Sequence, residues 1–274
     1  MGGNELSEDV ITIIDYYQKC NEDNRMAENP LEYIRCKEII SRYINQRNLS
    51  ILDVGGATGA FSFWLAEQGY NVSLIDFTSK HIDIAKQHQE DKRTKLSSMI
   101  VGDARKLPYE DNYFDLVLVM GPLYHLTEKE DRLKSLMEAY RVLKPKGKMI
   151  CEVISRYASM VDGLLHGLVN DPEFIPIMRN DIKTGVHIDT SQSKKYFINS
   201  YFHNPNELCQ EIEQSGFLFE DIIAVTGFGS TIPEVNEKLK DDNYRKTLLD
   251  TIRLVEREPS LMGISSHFLG IGSK

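Results

Sequence analysis

From residue 50 onwards, short apolar runs alternate with amphipathic stretches. Runs such as Ser50–Val54 and Phe114–Met120 are mostly apolar, which is typical of strands that are buried on both faces. The stretches between such runs place apolar residues at helical spacing. Strands that alternate with helices predict an α/β fold, in which helices cover a parallel sheet on both sides.

The first 49 residues precede this alternation and are predicted to be helices. Apolar residues recur at helical spacing over residues 10–17. A second helix is predicted to begin at Pro30, with Asn29 as its N-cap. We therefore expect residues 1–49 to be additions to a sheet domain that occupies residues 50–274.

Two segments interrupt the alternation in the second half of the chain. Residues 157–203 are rich in aromatic side chains, and residues 228–262 contain a long helical stretch. Between them, Asn204 to Glu207 have the sequence of a helix-capping box. We expect both segments to be insertions, and we expect the first to form a helical lid together with the N-terminal helices.

The most informative stretch is the turn after the first predicted strand, where a glycine-rich sequence leads into a helix. Such a turn lets a ligand approach the backbone closely at the carboxyl end of the strand. A nicotinamide-dinucleotide fingerprint requires glycine at positions 55, 57 and 60, but Ala57 and Ala60 break it. A nicotinamide oxidoreductase is therefore the weakest interpretation of the turn.

At this turn the chain resembles the class I S-adenosylmethionine-dependent methyltransferases. Their acidic-x-Gly-x-Gly-x-Gly pattern is matched by Asp53, Gly55 and Gly59, and it fails at Ala57. The added methyl group of Ala57 either shifts the cofactor or is absorbed by Gly56. The resemblance implies a Rossmann-like, doubly wound sheet of seven mostly parallel strands, in the order 3-2-1-4-5-7-6 with the last strand antiparallel.

The resemblance also implies a cofactor, S-adenosylmethionine, with S-adenosylhomocysteine as its product. Asp76 ends the second predicted strand, where the family binds both ribose hydroxyls. Asp103 follows the third strand, where the family places an acidic residue beside the adenine amino group. The expected cofactor-binding residues are Asp53, Gly55, Gly56, Ala57, Gly59, Asp76, Phe77, Asp103, Ala104, Met120, Gly121, Arg35 and Tyr17.

Candidate catalytic residues follow the fourth strand, in the segment Gly121-Pro122-Leu123-Tyr124-His125-Leu126. This segment resembles one in bacterial small-molecule methyltransferases, where it lies beside the transferred methyl group. His125, next to Tyr124, is a candidate base because an unperturbed imidazole has a pKa of about 6.5. It could equally hold the loop through a hydrogen bond. His203, just before the capping box, is a second candidate base or a simple helix-entry residue.

The N-terminal helices contribute further candidates. The same bacterial proteins resemble this chain in a Tyr-Tyr pair, here ending at Tyr17, followed by an acidic-and-arginine stretch that contains Glu22 and Arg25. Arg35, on the next predicted helix, could pair with the methionine carboxylate of the cofactor, because a guanidinium fork suits a carboxylate.

Composition narrows the class of acceptor. The net charge of −9 disfavours a nucleic-acid partner. The fourth strand is also not followed by the Asp/Asn-Pro-Pro-Tyr pattern of methyltransferases that act on nucleic-acid amino groups. We predict methyl transfer by in-line displacement to an oxygen, nitrogen, sulfur or carbon atom of a small molecule. The alternatives are a methyltransferase that acts on tRNA or protein, and a non-catalytic S-adenosylmethionine-binding sensor or assembly protein.

The sequence also predicts a cellular setting. No apolar run approaches the roughly 18 residues needed to span a bilayer, and residues 1–6 lack the features of a secretory signal. The four cysteines are far apart and have no metal-binding spacing, so we expect reduced thiols and no metal. They are Cys20, Cys36, Cys151 and Cys209. We therefore expect a cytoplasmic monomer or homodimer without a membrane or nucleic-acid partner.

Overall fold

A seven-stranded sheet forms the centre of the computed structural model, which describes residues 8–19, 22–44, 46–192 and 195–274. The strands are β1 (Ser50–Val54), β2 (Asn71–Asp76), β3 (Ser98–Val101), β4 (Phe114–Met120), β5 (Leu143–Ile154), β6 (Val186–His187), β7 (Ser200–Tyr201), β8 (Leu218–Ala224) and β9 (His267–Ser273). The main sheet has the order β3-β2-β1-β4-β5-β9-β8, while β6 and β7 pair separately. Strand β9 runs antiparallel to both β5 and β8. The predicted strand order and the antiparallel last strand are thus confirmed.

Helices pack on both faces of the sheet. The described helices are α1 (Glu8–Lys19), α2 (Glu22–Glu28), α3 (Pro30–Arg42), α4 (Ala60–Glu67), α5 (Ser79–Glu90), α6 (Pro122–His125), α7 (Lys129–Val142), α8 (Ala158–Leu165), α9 (Phe174–Thr184), α10 (Pro205–Gln214), α11 (Val235–Lys238), α12 (Asp242–Val255) and α13 (Pro259–Met262). Along β4, Leu116 and Leu118 join the buried cluster of α3, α4 and α5, whereas Val117 and Val119 join that of α7 and α10. Because strand side chains alternate between faces, this pattern gives the doubly wound fold that was predicted.

Helix α3 belongs to one of these core layers. Its Cys36, Ile39 and Ile40 are fully buried in the cluster that covers the sheet. The helix begins at Pro30 with Asn29 in the N-cap position, as predicted, but the Asn29 side chain makes no capping hydrogen bond and donates to the Arg25 carbonyl instead. The two N-terminal helices that border the cavities described below are α1 and α2.

The segment 157–203 forms α8, α9 and the β6–β7 pair outside the main sheet. Its two ends meet at Ser155 and His203, which form an isolated β-bridge. The predicted capping box directly after it is confirmed. The Asn204 side chain accepts from the Glu207 amide at 3.0 Å, and the Glu207 carboxylate accepts from the Asn204 amide at 3.1 Å.

The segment 228–262 contains α11, α12 and α13. Its Leu239, Leu248 and Ile252 pack around Leu31, near the start of α3. The segment lines neither of the two cavities described below, and it contacts the N-terminal helices through this packing around Leu31.

Helix α4 begins at the glycine-rich turn and carries Trp64, the one tryptophan of the sequence. The ammonium group of Lys37, on α3, lies 5.0 Å from the Trp64 ring and 4.9 Å from the Tyr33 ring. These distances suit cation–π attraction. The contact joins α3 to α4 one helical turn after the glycine-rich sequence.

Two predictions concern the cellular setting. Cys36, Cys151 and Cys209 are free thiols, and Cys20 lies outside the described residues. Burial raises the pKa of Cys36 and Cys151, which makes both thiols poor nucleophiles. Across the helices that the structure describes, none combines the length and the apolar composition that crossing a bilayer requires.

Candidate active site

The glycine-rich turn after β1 is tightly packed against the loop after β4. Gly55 has a φ of +74°, and a Cβ there would lie 2.5 Å from Cδ of Pro122. A Cβ on Gly56 would collide with the Asp53 carboxylate. The turn therefore requires glycine at both positions, for space and, at Gly55, for conformation.

Ala57 adopts a left-handed backbone conformation, which glycine takes up without strain. Its φ is +49°, in the left-handed region, which costs an ordinary residue about 1–2 kcal/mol. The amide of Ala57 donates to Asp76 Oδ2 at 2.9 Å, and this bond to a carboxylate offsets part of the cost. The turn thus accommodates alanine at a position where the family pattern has glycine.

Asp53 and Gly59 match the sequence pattern but do not line the cavity beside the turn. The Asp53 side chain points beneath the turn, where it accepts a 2.6 Å hydrogen bond from Ser62 Oγ. Burial raises its pKa to about 6. Gly59 has a φ of +90° and starts α4. Both residues shape the turn from behind, so any part that they take in cofactor binding is through the conformation of the turn.

A first cavity lies at the carboxyl ends of β1, β2 and β4, between the turn and the N-terminal helices. Most of the predicted site residues line it. These are Tyr17, Gly55, Gly56, Ala57, Asp76, Phe77, Asp103, Ala104, Met120, Gly121, Tyr124 and His125. In doubly wound sheets, this edge at the change of strand order is where ligands bind.

Asp76 and Asp103 stand at the ends of adjacent strands, but their partners differ. Asp76 Oδ1 accepts from the Thr78 amide at 2.8 Å and contacts His81 Nδ1 at 3.0 Å. Asp103 Oδ2 is paired with Arg105 at 2.7 Å, and Asp103 Oδ1 accepts from the Arg105 amide at 2.8 Å. Both carboxylates are therefore held in place by the protein itself.

His125 forms a hydrogen bond with a residue of the N-terminal helices. Its Nε2 lies 2.7 Å from the Tyr17 hydroxyl, which joins α1 to α6, while its Nδ1 is buried and has no partner among the described residues. Burial lowers the pKa of His125 to about 3, far below the value on which a role as base at neutral pH was predicted.

This pKa makes the stability of the fold depend on pH. Because the unfolded chain binds a proton at His125 below pH 6.5 while the folded chain does so only near pH 3, acid favours unfolding. We expect His125→Gln to remove this contribution to the pH dependence of the unfolding free energy. Relative to that variant, the unaltered chain should lose up to about 1.4 kcal/mol of unfolding free energy per pH unit between pH 6.5 and 5. Urea titrations at pH 7, 6 and 5 measure this, and parallel curves for the two proteins would contradict it.

His203 lies outside both cavities, so its prediction as a base is wrong. It is fully buried at the base of the 157–203 segment, with Nε2 3.1 Å from Glu211 Oε2. Its ring meets that of Tyr201 edge-on. The backbone pairing at Ser155 turns the side chain of His203 towards α10, which is why it cannot reach an acceptor.

Arg35 is also placed away from the cavities. It is fully buried on the core face of α3, where Nε donates to the Val225 carbonyl at 2.9 Å. Its remaining nitrogens pair with Glu38 at 2.7 Å and with Glu256 at 2.5 Å. Because α3 packs into the core, the predicted pairing of Arg35 with the methionine carboxylate is wrong.

Arg25, on α2, lies at the cavity from which Arg35 is absent. It lines the first cavity, and its ion pairs with Glu22, Glu32 and Glu152 are long, at 3.7, 3.5 and 4.0 Å. Burial lowers the pKa of Arg25, but the nearby acidic groups raise it further, so the group stays charged. Its stretch was identified in the sequence, but its position depends on how α2 folds over the sheet, which no local pattern encodes.

A second cavity of about 960 Å³ adjoins the first, under the 157–203 segment. Four residues line both cavities, namely Tyr17, Glu22, Arg25 and Tyr124. Aromatic side chains form much of the remaining wall: Tyr16, Phe174, Tyr196, Phe197 and Phe202. A pocket with this lining suits a compact and partly apolar ligand.

A charged cluster lies beside the second cavity. Glu32, Glu152 and His267 place potential ligand atoms within 4.8 Å of one another. The guanidinium of Arg25, 3.5 Å from Glu32, already supplies positive charge to this cluster. His267 adds to it, since the neighbouring carboxylates raise its pKa against the opposing effect of burial. We interpret the group as an ion-pair cluster.

Comparison with known proteins agrees with this geometry. The sequence model of a methyltransferase domain family matches residues 52–151. The chain is 36% identical over 118 residues to the demethylmenaquinone methyltransferase of Oceanobacillus iheyensis, an alignment that covers 42% of this chain and 48% of that protein. It is 27% identical over 182 residues to the ubiquinone/menaquinone biosynthesis C-methyltransferase UbiE of Azotobacter vinelandii, covering 65% of this chain and 68% of the relative. The chain thus spans about half the length of the first of these relatives.

Solved structures extend the likeness beyond the matched residues. A methyltransferase of Methanosarcina mazei, described as dependent on S-adenosylmethionine, has a TM-score of 0.60 and 18% identity, covering 86% of this chain and 96% of that one. At this level of sequence identity, the structural similarity shows a shared fold and nothing more specific. Residues 52–151 therefore match a methyltransferase domain family, and the chain has the fold of an S-adenosylmethionine-dependent methyltransferase.

Proposed function

We propose that this chain is an enzyme that transfers the methyl group of S-adenosylmethionine to a small-molecule acceptor. The observation that carries the proposal is the meeting of two cavities at Tyr17, Glu22, Arg25 and Tyr124. One cavity has the turn and the carboxylates expected for the cofactor, and the other has an aromatic lining. A methyl group bound at this junction has a direct path into the second cavity.

The residues of the first cavity fit S-adenosylmethionine. Gly55 and Gly56 line the cavity, and a Cβ at either residue would collide with the protein and displace the turn. Asp76 offers a carboxylate to the ribose, and Asp103 stands where the adenine amino group is expected. Arg25 replaces Arg35 as the partner of the methionine carboxylate. When bound, S-adenosylmethionine supplies an activated methyl group whose leaving group departs as a neutral thioether.

The protein's own part in the transfer is alignment and the exclusion of water. The bond between Tyr17 and His125 holds α1 over the first cavity, which covers the cofactor. Burial raises the pKa of the Tyr17 and Tyr124 hydroxyls, so both remain protonated; the Tyr17 hydroxyl is engaged with His125, and the Tyr124 hydroxyl can donate a hydrogen bond at the junction. In this proposal, His125 positions the cover and Tyr124 orients the acceptor.

Calorimetry with S-adenosylhomocysteine tests the cofactor half of the proposal. We expect Arg25→Leu to weaken its binding about tenfold or more, because a charged hydrogen bond contributes about 1.5–3 kcal/mol. The same variant should bind 5′-methylthioadenosine, which lacks the amino-acid part, as well as the unaltered chain does. Arg179→Leu, on the exposed face of α9, is the matched control and should change neither affinity. Equal losses for both ligands would contradict the role of Arg25.

A labelling experiment tests the acceptor half. The protein is incubated with S-adenosylmethionine carrying a labelled methyl group and with a bacterial extract, which is then separated into metabolites, protein and RNA. We expect the label in the metabolite fraction. Label in RNA or protein would support a macromolecular acceptor instead. Binding without any transfer would support a sensor or assembly role.

The names of the curated relatives support a particular kind of small molecule. Those relatives are named for the methylation of quinone precursors, which are planar rings. The second cavity, with aromatic walls, suits a planar and partly apolar acceptor of this general shape. We propose that the acceptor belongs to this class.

A further inference from the structure

We propose that Glu22 is a cofactor-binding residue that holds the α-ammonium group of S-adenosylmethionine, next to the carboxylate that Arg25 holds. This assignment rests on the proposed use of S-adenosylmethionine and on the role proposed for Arg25. Glu22 belongs to the acidic-and-arginine stretch of the N-terminal helices, and the family resemblance assigns it no role.

Glu22 and Arg25 differ from the other charged residues of the first cavity in their hydrogen bonding. Asp76, Asp103 and Arg105 make hydrogen bonds of 2.7–2.9 Å within the protein. Among the residues that the structure describes, the side chains of Glu22 and Arg25 make only ion pairs of 3.5 Å or longer. Because charged groups that are withdrawn from water are normally hydrogen-bonded, both side chains have bonding capacity left for a ligand.

Both side chains are accessible from the same side. They are 16% and 29% exposed, and both line the first cavity as well as the second. Glu22 and Arg25 lie three positions apart on α2, a spacing that places side chains on one face of a helix. Glu22 Oε2 and Arg25 Nε are 3.7 Å apart. One small group can therefore reach both.

The amino-acid part of the cofactor presents the complementary charges. Its ammonium group only donates hydrogen bonds and its carboxylate only accepts them, and both groups are attached to the same carbon atom. Glu22 only accepts and Arg25 only donates. A zwitterion placed against the pair exchanges one long ion pair for two shorter, charged hydrogen bonds. A ligand with a single charge would leave either Glu22 or Arg25 without a hydrogen bond.

The two other carboxylates near Arg25 are less suited to this role. Glu32 Oε2 has a second partner, His267 Nδ1, at 3.2 Å. Glu152 is buried and lies 4.0 Å from Arg25. Neither Glu32 nor Glu152 lines the first or the second cavity. Of the carboxylates that pair with Arg25, Glu22 is thus the one that a bound cofactor can reach.

Ligands that lack one of the two charges test the assignment. They are S-adenosylhomocysteine, its analogue without the α-amino group and its analogue without the carboxylate, each titrated by calorimetry. The unaltered chain should lose about tenfold or more in affinity for each missing group, the size of a charged hydrogen bond. Glu22→Met should bind S-adenosylhomocysteine about tenfold less tightly and should then tolerate the loss of the amino group within about threefold.

Arg25→Leu separates direct contact from an effect through the neighbouring residue. It should lose its sensitivity to the carboxylate and keep most of its sensitivity to the amino group, the reverse of Glu22→Met. If Glu22 acted only through Arg25, Glu22→Met would change the sensitivity to the carboxylate instead. Glu28→Met is the matched control. It alters a carboxylate on the same helix that lines the second cavity but not the first, and it should behave as the unaltered chain does.

Glu22→Gln removes the charge with the smallest change of shape, so it tests the assignment even if Glu22→Met folds poorly. We expect it to lose most of its sensitivity to the amino group. If every Glu22 variant that folds remains as sensitive to that group as the unaltered chain, or if the unaltered chain is itself insensitive, Glu22 does not hold the ammonium. Absence of any S-adenosylhomocysteine binding by the unaltered chain would overturn the proposed function together with this assignment. Binding without the coupling would overturn the assignment alone.

Discussion

Replacing Gly55 by alanine is expected to lower the affinity for S-adenosylhomocysteine about 100-fold. The added Cβ would lie 2.5 Å from Cδ and 2.7 Å from Cγ of Pro122, whose ring cannot rotate away, and 3.2 Å from the Met120 carbonyl. Overpacking of this kind costs about 1–3 kcal/mol, and the left-handed conformation at Gly55 adds about 1–2 kcal/mol. The turn must therefore move, and it moves at the edge where the cofactor binds. Calorimetry measures the affinity directly.

Gly69→Ala is the matched control for this substitution. Gly69 also has a positive φ, +92°, but a Cβ there would meet nothing within 4 Å. We expect a loss of about 1 kcal/mol in unfolding free energy and no change in affinity. If Gly55→Ala bound S-adenosylhomocysteine within threefold of the unaltered chain, the packing of the turn against Pro122 would have no bearing on the cofactor.

The largest effect on stability is expected from Arg132→Ala. The buried guanidinium pairs with Glu211 at 2.8 Å and donates to the carbonyls of Leu126 and Thr127 at 2.9 and 2.8 Å. The Tyr201 ring lies 3.6 Å from it. Removing Arg132 leaves the buried Glu211 carboxylate without its arginine and with only the contact to His203, and breaking a buried ion pair in this way typically costs about 3–5 kcal/mol. Urea unfolding at pH 7 measures the loss.

Two further variants serve as controls for this prediction. Arg245→Ala removes an arginine whose ion pair with Asp242 is exposed, and it should cost less than about 0.5 kcal/mol. The double variant Arg132→Met with Glu211→Leu removes both buried charges and should recover part of the stability that Arg132→Ala loses, since His203 and the carbonyls of Leu126 and Thr127 still lose their partners. A loss below about 1 kcal/mol for Arg132→Ala would show that the buried pair is not needed to hold α7 to α10.

The features that sequence could predict are those with a local cause. The alternation of apolar positions along β4 fixes which side chains face each helical layer. The conformation of the turn requires Gly55, and the end of a buried strand places Asp76 at the ligand edge. Because each of these depends on neighbours in the chain, pattern reasoning located them together with the order of the strands.

The features that sequence could not predict depend on the direction in which a side chain points after the helices pack. Arg35 and Arg25 both lie in the N-terminal helices, but only Arg25 lines the cavities. His203 stands next to a correctly predicted helix start and still faces α10. Asp53 fits the family pattern, yet it turns beneath the backbone to meet Ser62. A side chain on a helix or a loop can point in several directions, and tertiary packing determines which of them it takes.

The place of Trp64 has a practical consequence for all of the binding measurements. Because the sequence contains a single tryptophan, long-wavelength ultraviolet excitation yields emission from one site only, in α4. The pocket that holds this indole is also lined by Thr58 and Ala60, which belong to the wall of the first cavity as well. Any rearrangement of the turn would alter the surroundings of the indole and its contact with Lys37. The protein thus carries a built-in optical probe, so that titrations can be followed in unlabelled material.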